Sequence, residues 1–258
     1  LEFWRSGLSR RVRSLLGGQQ RLTICAPDAA LLDELPSRGQ AADGRVTPWG
    51  VYARREPVEA ANAPTSIVLC ASGIDRPAVT MAFQAAAELI KEFPTLRYFV
   101  DARTARRTDL WSRATGLGVV DRLSLVDTIE SHRDLVLKCD LLMLPEALGE
   151  HRSITLDAMA QGVSVVARRD PMVRYLNSGD EVRLVEQPSL EEWKRCLSSL
   201  LSSPVKRATL CKVAQSYIAR HHRASAHVAA VLGAYEAAVH ARRQPASLYD
   251  TRRDAYEC

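Results

Sequence analysis

The middle of the chain alternates between short, mostly apolar segments and longer stretches with helical spacing of the apolar residues. The short segments have the length and composition of buried parallel strands, at 66–71, 96–101, 122–126, 140–144, 163–167 and 182–185. Between them, apolar side chains recur every three or four residues, which predicts helices at 78–92, 105–115, 131–138, 153–161 and 171–177. This order predicts an α/β fold with a Rossmann-like, doubly wound parallel sheet.

The two ends of the chain follow other patterns. The first residues predict a helix at 2–16, a strand at 21–26, a short helix at 29–35 and a strand at 45–51. A polar stretch with two prolines, at 54–65, is typical of a linker between domains. Three further helices close the chain, at 189–201, 204–220 and 223–241.

Composition narrows the class of protein. A chain of 258 residues with 47% hydrophobic content buries one good core and part of another. Its net charge of +5 comes from 35 basic and 30 acidic residues along the whole sequence, without the basic, aromatic-interleaved pattern of nucleic-acid binding.

The six cysteines have no C-x-x-C spacing, which favours reduced thiols in a cytosolic setting. Histidine spacing predicts no metal site, and no apolar run is long enough to span a membrane.

The most informative segment is 140–167, which predicts strand, loop, helix, turn and strand. The helix begins near Ser153, and Gly162 lies past its end as a C-cap. Its free N–H groups face the loop 147–152, where an anionic ligand group would be stabilised. An ordinary crossover with a solvated loop would show the same pattern, so the segment alone leaves both interpretations open.

A family resemblance favours the ligand site. The residues 156–167, Leu-Asp-Ala-Met-Ala-Gln-Gly-Val-Ser-Val-Val-Ala, resemble the donor-site motif of glycosyltransferase family 4. In that motif two glutamates, separated by seven residues, lead into Ala-Met-Ala-x-Gly and a strand, and Asp157 stands at the second acidic position. The strand at 121–126 and the segment 135–145 also look like family segments, so the resemblance runs in unbroken order from about 66 to 236.

The resemblance implies the GT-B fold and a division of the chain. Residues 1–53 would be a remnant of the N-terminal, acceptor-side domain, and 54–65 the linker. Residues 66–222 would form the nucleotide-sugar-binding domain, and 223–258 the C-terminal crossing helix and tail. The chain alone is then expected to be incomplete.

The activity implied is that of a glycosyltransferase of the hexosyltransferase type, retaining and independent of metals and cofactors. It would move a sugar from a nucleoside-diphosphate sugar to a glycan, lipid or small-molecule acceptor. The expected location is the cytoplasm, or the periphery of a membrane, and nucleic acid is not an expected partner.

The resemblance also assigns site residues. The diphosphate would lie over the N–H groups of the helix start, Asp157 would accept from the ribose hydroxyls, and Glu150 would contact the reacting sugar as the catalytic carboxylate. Glu146 is the alternative to Glu150, and an exposed helix carboxylate is the alternative reading of Asp157. The remaining nucleotide-sugar-binding residues are expected to be Gly73, Arg76, Thr128, Arg152, Ser153, Ile154 and Thr155.

Two positions depart from the family pattern. Gly149 stands where the first glutamate is expected, and Ser72 occupies the register of an arginine that meets the diphosphate, with no lysine nearby. Each lost charge-assisted bond costs about 1.5 to 3 kcal/mol. The alternative function is therefore a degenerate domain that binds nucleotide weakly or acts as a scaffold in glycan assembly. Another GT-B-like enzyme, such as a nucleotide-sugar epimerase, is a third hypothesis.

Overall fold

The computed structural model describes residues 22–29, 32, 42–52, 64, 66–127, 129, 133–149, 152–177 and 180–243. The chain forms two compact units. One is Trp49–Ala226, and the other combines Leu1–Pro48 with His227–Cys258. The predicted helix at 2–16, most of the helix at 29–35 and most of the linker at 54–65 lie outside the described residues.

The smaller unit contains a pair of parallel strands. Strand β1 (Leu22–Ala26) pairs with β2 (Ala42–Val46), and Leu22 lies opposite Ala42. The prediction of a second strand at 45–51 is wrong in its bounds, because the strand begins three residues earlier and ends at Val46. Thr47 N–H still donates to Ala26 C=O at 2.7 Å, but the next residue, Pro48, has no N–H with which to continue the ladder.

The larger unit is built on a six-stranded parallel sheet. Its strands lie in the order β5-β4-β3-β6-β7-β8. In sequence order they are β3 (Ser66–Leu69), β4 (Arg97–Asp101), β5 (Leu123–Val126), β6 (Leu141–Leu144), β7 (Ser164–Arg168) and β8 (Arg183–Val185). The direction of winding reverses between β3 and β6, which is the point where such sheets bind ligands. The predicted doubly wound, Rossmann-like sheet is confirmed.

Helices cover both faces of this sheet. These helices are α1 (Arg76–Ile90), α2 (Ala102–Thr108), α3 (Leu110–Leu117), α4 (Arg133–Val136), α5 (Ser153–Gln161), α6 (Leu190–Leu201) and α7 (Pro204–His221). The last helix, α8 (Ala224–Arg243), belongs from His227 onward to the smaller unit. Because successive strand residues point to opposite faces, Ile67 packs in one core with Trp193 of α6, while Val68 packs in the other with Ile218 of α7. Within the described residues, no helix is long and apolar enough to cross a membrane.

Two predicted helices differ from the structure. The helix expected at 105–115 is divided into α2 and α3 at Asp109, whose backbone lies in the left-handed region at φ 54°. Aspartate tolerates this region better than most residues, so the chain can turn here without a glycine. The helix expected at 171–177 is a single 3-10 turn, Arg174–Leu176.

Most of the described cysteines behave as small apolar residues. Cys70, Cys139, Cys196 and Cys211 are buried and form no disulfide, while Cys25 is exposed. Burial raises the pKa of the thiols of Cys139, Cys196 and Cys211 above the ordinary value, which keeps them protonated and unreactive.

Candidate functional site

Glu146 joins the two loops that leave the sheet at its switch point. Its Oε2 accepts hydrogen bonds from the N–H and the hydroxyl of Ser72, at 2.5 and 2.8 Å. Its Oε1 accepts from the N–H of Asp75 at 2.9 Å. The side chain is only 4% exposed. Both carboxylate oxygens are thus engaged in holding the loop after β3 against the loop after β6.

Arg152 brings a positive charge to the start of α5. Its Nη2 lies 4.0 Å from Oε2 of Glu146, its Nη1 donates to the sulfur of Cys70 at 3.3 Å, and its side chain is 17% exposed. Beside it is a cavity of about 20 Å³, which has room for about one water molecule. The polar residues that line this cavity are Glu146, Arg152, Thr155 and Asp170.

The first turn of α5 presents N–H groups at the carboxyl edge of the sheet. Thr155 N–H already donates to Arg152 C=O at 3.0 Å. Ser153 and Ile154 precede it, at positions where helix geometry supplies no intrahelical acceptor. The hydroxyl of Thr155 is buried and has no hydrogen-bond partner among the described residues. At the other end, Gly162 at φ 81° caps the helix as its sequence predicts.

Asp157 forms an ion pair with Arg133 of α4, which the sequence did not suggest. The second guanidinium nitrogen of Arg133 donates to the hydroxyl of Ser153 at 2.7 Å. The pair is partly open to solvent, since Asp157 is 25% and Arg133 42% exposed. Arg133 therefore adds a second cation to the start of α5, from a helix 20 residues earlier in the chain.

Arg168 is a second cation that sequence reasoning missed. It ends β7, and its Nη1 donates to Oδ2 of Asp75 at 2.8 Å. The other oxygen of Asp75 caps α1 by accepting from the N–H of Ala78 at 3.2 Å. The sequence could have indicated this residue, because Arg168 directly follows a predicted strand. The carboxyl ends of parallel strands lie at one edge of the sheet, which is where ligands bind.

The other predicted site residues do not all converge on α5. Arg76 is exposed and lines an open groove with Arg107 and Arg113, while no residue of that groove lines the cavity beside Arg152. Thr128 and Glu150 lie outside the described residues.

Gly149 has a conformational reason for its place in the motif. Its backbone is left-handed at φ 69°, and an added Cβ would lie 3.3 Å from Cβ of Met172. Its N–H donates to Oδ2 of the buried Asp170 at 2.7 Å. A glutamate at this position would be strained, so this chain cannot carry the family carboxylate in strict register without moving the loop.

Gly73 fixes the shape of the loop after β3, and its replacement by alanine tests that shape. Gly73 lies at φ 74°, and an alanine Cβ would meet Cβ of Arg107 at 3.1 Å. Both the left-handed backbone and the close contact with Arg107 disfavour a side chain here. Gly73→Ala should therefore lower the free energy of unfolding by about 1 to 2 kcal/mol, measured by urea denaturation. Gly116→Ala is the matched control, since its Cβ would meet nothing within 4 Å. Equal midpoints for Gly73→Ala and the parent would contradict the described loop.

A metal site is not evident in the described part of the chain. No group of three or more His, Cys, Asp or Glu side chains is placed there to hold a metal ion. The expectation of a metal-independent reaction stays a prediction.

Comparison with known proteins identifies the fold. No protein-family model matches the sequence, and no curated protein matches it either. Solved structures do match. The glycosyltransferase WaaG of lipopolysaccharide biosynthesis has a TM-score of 0.64 and 17% identity over 90% of this chain. Sucrose-phosphate synthase from Thermosynechococcus elongatus has a TM-score of 0.67 and 14% identity over 92%. HepE of Anabaena, in complex with UDP-glucose, has a TM-score of 0.67 and 15% identity over 91%.

The chain has the GT-B, Rossmann-like fold of these glycosyltransferases. It spans 69%, 64% and 68% of the length of the three matched chains. At such low identity the likeness establishes the fold, and function must be argued from the site.

Proposed function

We propose that this chain carries the nucleotide-sugar-binding half of a glycosyltransferase. The reaction would move a sugar, of the hexose type, from a nucleoside-diphosphate sugar to an acceptor glycan, lipid or small molecule. We further propose that transfer retains the anomeric configuration and needs neither metal nor cofactor. The protein would work in the cytoplasm or at the periphery of a membrane.

One observation carries the proposal. The start of α5 lies at the carboxyl edge of the sheet, directly after β6 and its loop, with Arg152 and Arg133 beside it. Helix N–H groups and guanidinium groups at such a switch point are suited to a diphosphate. UDP-glucose in HepE, which has the same fold, supports a nucleotide sugar as the ligand.

The proposed chemistry assigns a role to each group. The bond between the anomeric carbon and the diphosphate oxygen would break, a bond from the acceptor oxygen would form, and the acceptor's hydroxyl proton would pass to the leaving diphosphate. Negative charge builds on the diphosphate as it leaves, and the N–H groups of Ser153 and Ile154 with the guanidinium of Arg152 would stabilise it. The carboxylate of Asp157 would accept from the ribose hydroxyls. Glu150 would contact the donor sugar, with Gly73, Arg76, Thr128 and Thr155 as the further binding residues.

A panel of nucleoside diphosphates tests the proposal. UDP, GDP and ADP are added separately to this chain, and its melting temperature is followed with a nucleoside as control. One of the three should stabilise the fold by about 2.7 kcal/mol at 100 times its Kd. If none of the diphosphates changes the melting temperature, the chain does not bind a nucleotide at this site.

The degenerate-site alternative has its own support. Glu146 is engaged by Ser72 and Asp75, Asp157 is paired with Arg133, and no arginine stands at position 72. In this second candidate function the domain binds nucleotide weakly, or acts as a scaffold in glycan assembly. Tight binding of one nucleoside diphosphate in the same panel would favour the enzyme.

A further inference from the structure

An open groove of about 540 Å³ lies along the first half of α1. One wall is α1 itself, and the other comes from the junction of α2 and α3. Leu190, the first residue of α6, completes the lining. The polar residues of the groove are Arg76, Thr80, Gln84, Arg107, Thr108, Asp109 and Arg113. A volume of this size is within the range of small-molecule sites, about 300 to 1,000 Å³.

The charge in the groove is unbalanced. Arg76, Arg107 and Arg113 are exposed, and none of them has an ion pair with a described carboxylate within 4 Å. Several other arginines of the chain do form such pairs, among them Arg45, Arg122, Arg133, Arg168, Arg169 and Arg195. Asp109 is the acidic residue that lines the groove, and its Oδ1 accepts from the hydroxyl of Ser112 at 2.7 Å. The lining therefore carries three positive charges and one negative charge.

The local structure positions two of the three arginines of the groove, Arg107 and Arg113. Nη1 of Arg107 donates to the C=O of Ser72 at 2.8 Å, which anchors the guanidinium through one of its three nitrogens. The absence of a side chain at Gly73 allows the stem of Arg107 to pack closely on the loop after β3. The left-handed turn at Asp109 ends α2 and starts α3, and Arg113 lies one helical turn further, on the groove.

We propose that this groove is a second anion site, which binds a phosphate-bearing ligand. Several guanidinium groups around one open groove match the charge and the multiple acceptor oxygens of a phosphate group. Arg76 is shared with the proposed nucleotide site, whereas Arg107 and Arg113 belong to the groove alone. The ligand is either a small phosphorylated molecule or the phosphate of a lipid headgroup, since both present the same chemistry.

Isothermal titration calorimetry of this chain with inorganic pyrophosphate tests the site, with the nucleoside diphosphate found in the panel present at saturation to occupy the nucleotide site. Arg113→Gln should weaken pyrophosphate binding about tenfold at low salt, because it removes a charge-assisted contact. Arg106→Gln is the matched control. It removes the same charge from an exposed residue of α2 that does not line the groove, and it should leave binding unchanged.

A second arm separates the two ligand sources. The same proteins are sedimented with vesicles of phosphatidylcholine alone or mixed with phosphatidylglycerol. Sedimentation with the mixed vesicles that Arg113→Gln reduces identifies a lipid headgroup, and pyrophosphate binding without it identifies a small ligand. The site is disproved if neither probe binds, if Arg113→Gln binds like the parent, or if Arg106→Gln has the same effect. The affinity for that nucleoside diphosphate, measured on both variants, reports on the proposed nucleotide site separately.

Discussion

Replacement of Glu146 by alanine should lower the free energy of unfolding by about 2 to 5 kcal/mol. The change removes a nearly buried carboxylate that accepts from two backbone N–H groups and one hydroxyl. These donors of Ser72 and Asp75 would lose their acceptors, and an unsatisfied buried donor costs about 1 to 3 kcal/mol. Urea denaturation followed by circular dichroism measures the difference.

Two variants show whether the hydrogen bonds cause this loss. Glu146→Gln keeps one acceptor oxygen of similar shape, so it should lose less than Glu146→Ala. Glu186→Ala removes a carboxylate that is 51% exposed and paired with Arg169, and it should cost less than about 1 kcal/mol. A Glu146→Ala protein as stable as the Glu186→Ala protein would show that Glu146 does not hold the two loops together.

Asp157→Ala is expected to reduce nucleoside-diphosphate affinity about tenfold or more, with less than about 1 kcal/mol change in the free energy of unfolding. The affinity falls because the ribose hydroxyls lose a charged acceptor. Stability changes little because a partly exposed ion pair contributes about 0 to 1 kcal/mol, and alanine is the better helix former. Calorimetric titration with the nucleotide found in the panel, together with urea denaturation, measures both quantities.

Arg133→Ala separates a direct role of Asp157 from an indirect one. If Asp157 only orients Arg133, the two single variants and the double variant should bind nucleotide with the same reduced affinity. If Asp157 contacts the ribose, Arg133→Ala should weaken nucleotide binding less than Asp157→Ala does. Parent-like binding by Asp157→Ala would remove this residue from the site.

Short-range patterns in the sequence were sufficient for most of the fold. The buried strand β6 is a continuous apolar run and β7 has three apolar residues at its centre, as a parallel sheet requires because both its faces are covered. The start of α5 at Ser153 and its end before Gly162 were also predictable, since a C-cap glycine is a local signal. The doubly wound order then follows from the alternation of strands and helices.

The missed features depend on contacts between distant residues. Nothing near Glu146 in the sequence indicates that its partners are Ser72 and Asp75, 74 and 71 positions away. Arg133 meets Asp157 only because α4 and α5 pack together. The turn at Asp109 was missed for another reason, since aspartate is ordinary within a helical pattern and carries no glycine signal.

The reversal of winding between β3 and β6 also bears on how the chain folds. Every other neighbouring pair in the six-stranded sheet is formed by strands that follow each other in sequence, with one crossover between them. Pairing of β3 with β6 instead waits until a much longer loop has closed, as the 74 positions between Ser66 and Asp140 indicate. Loop closure costs entropy that only later contacts repay. The halves β3-β4-β5 and β6-β7-β8 are therefore expected to form first. The pairing of β3 with β6, which joins the two halves, would then set the folding rate.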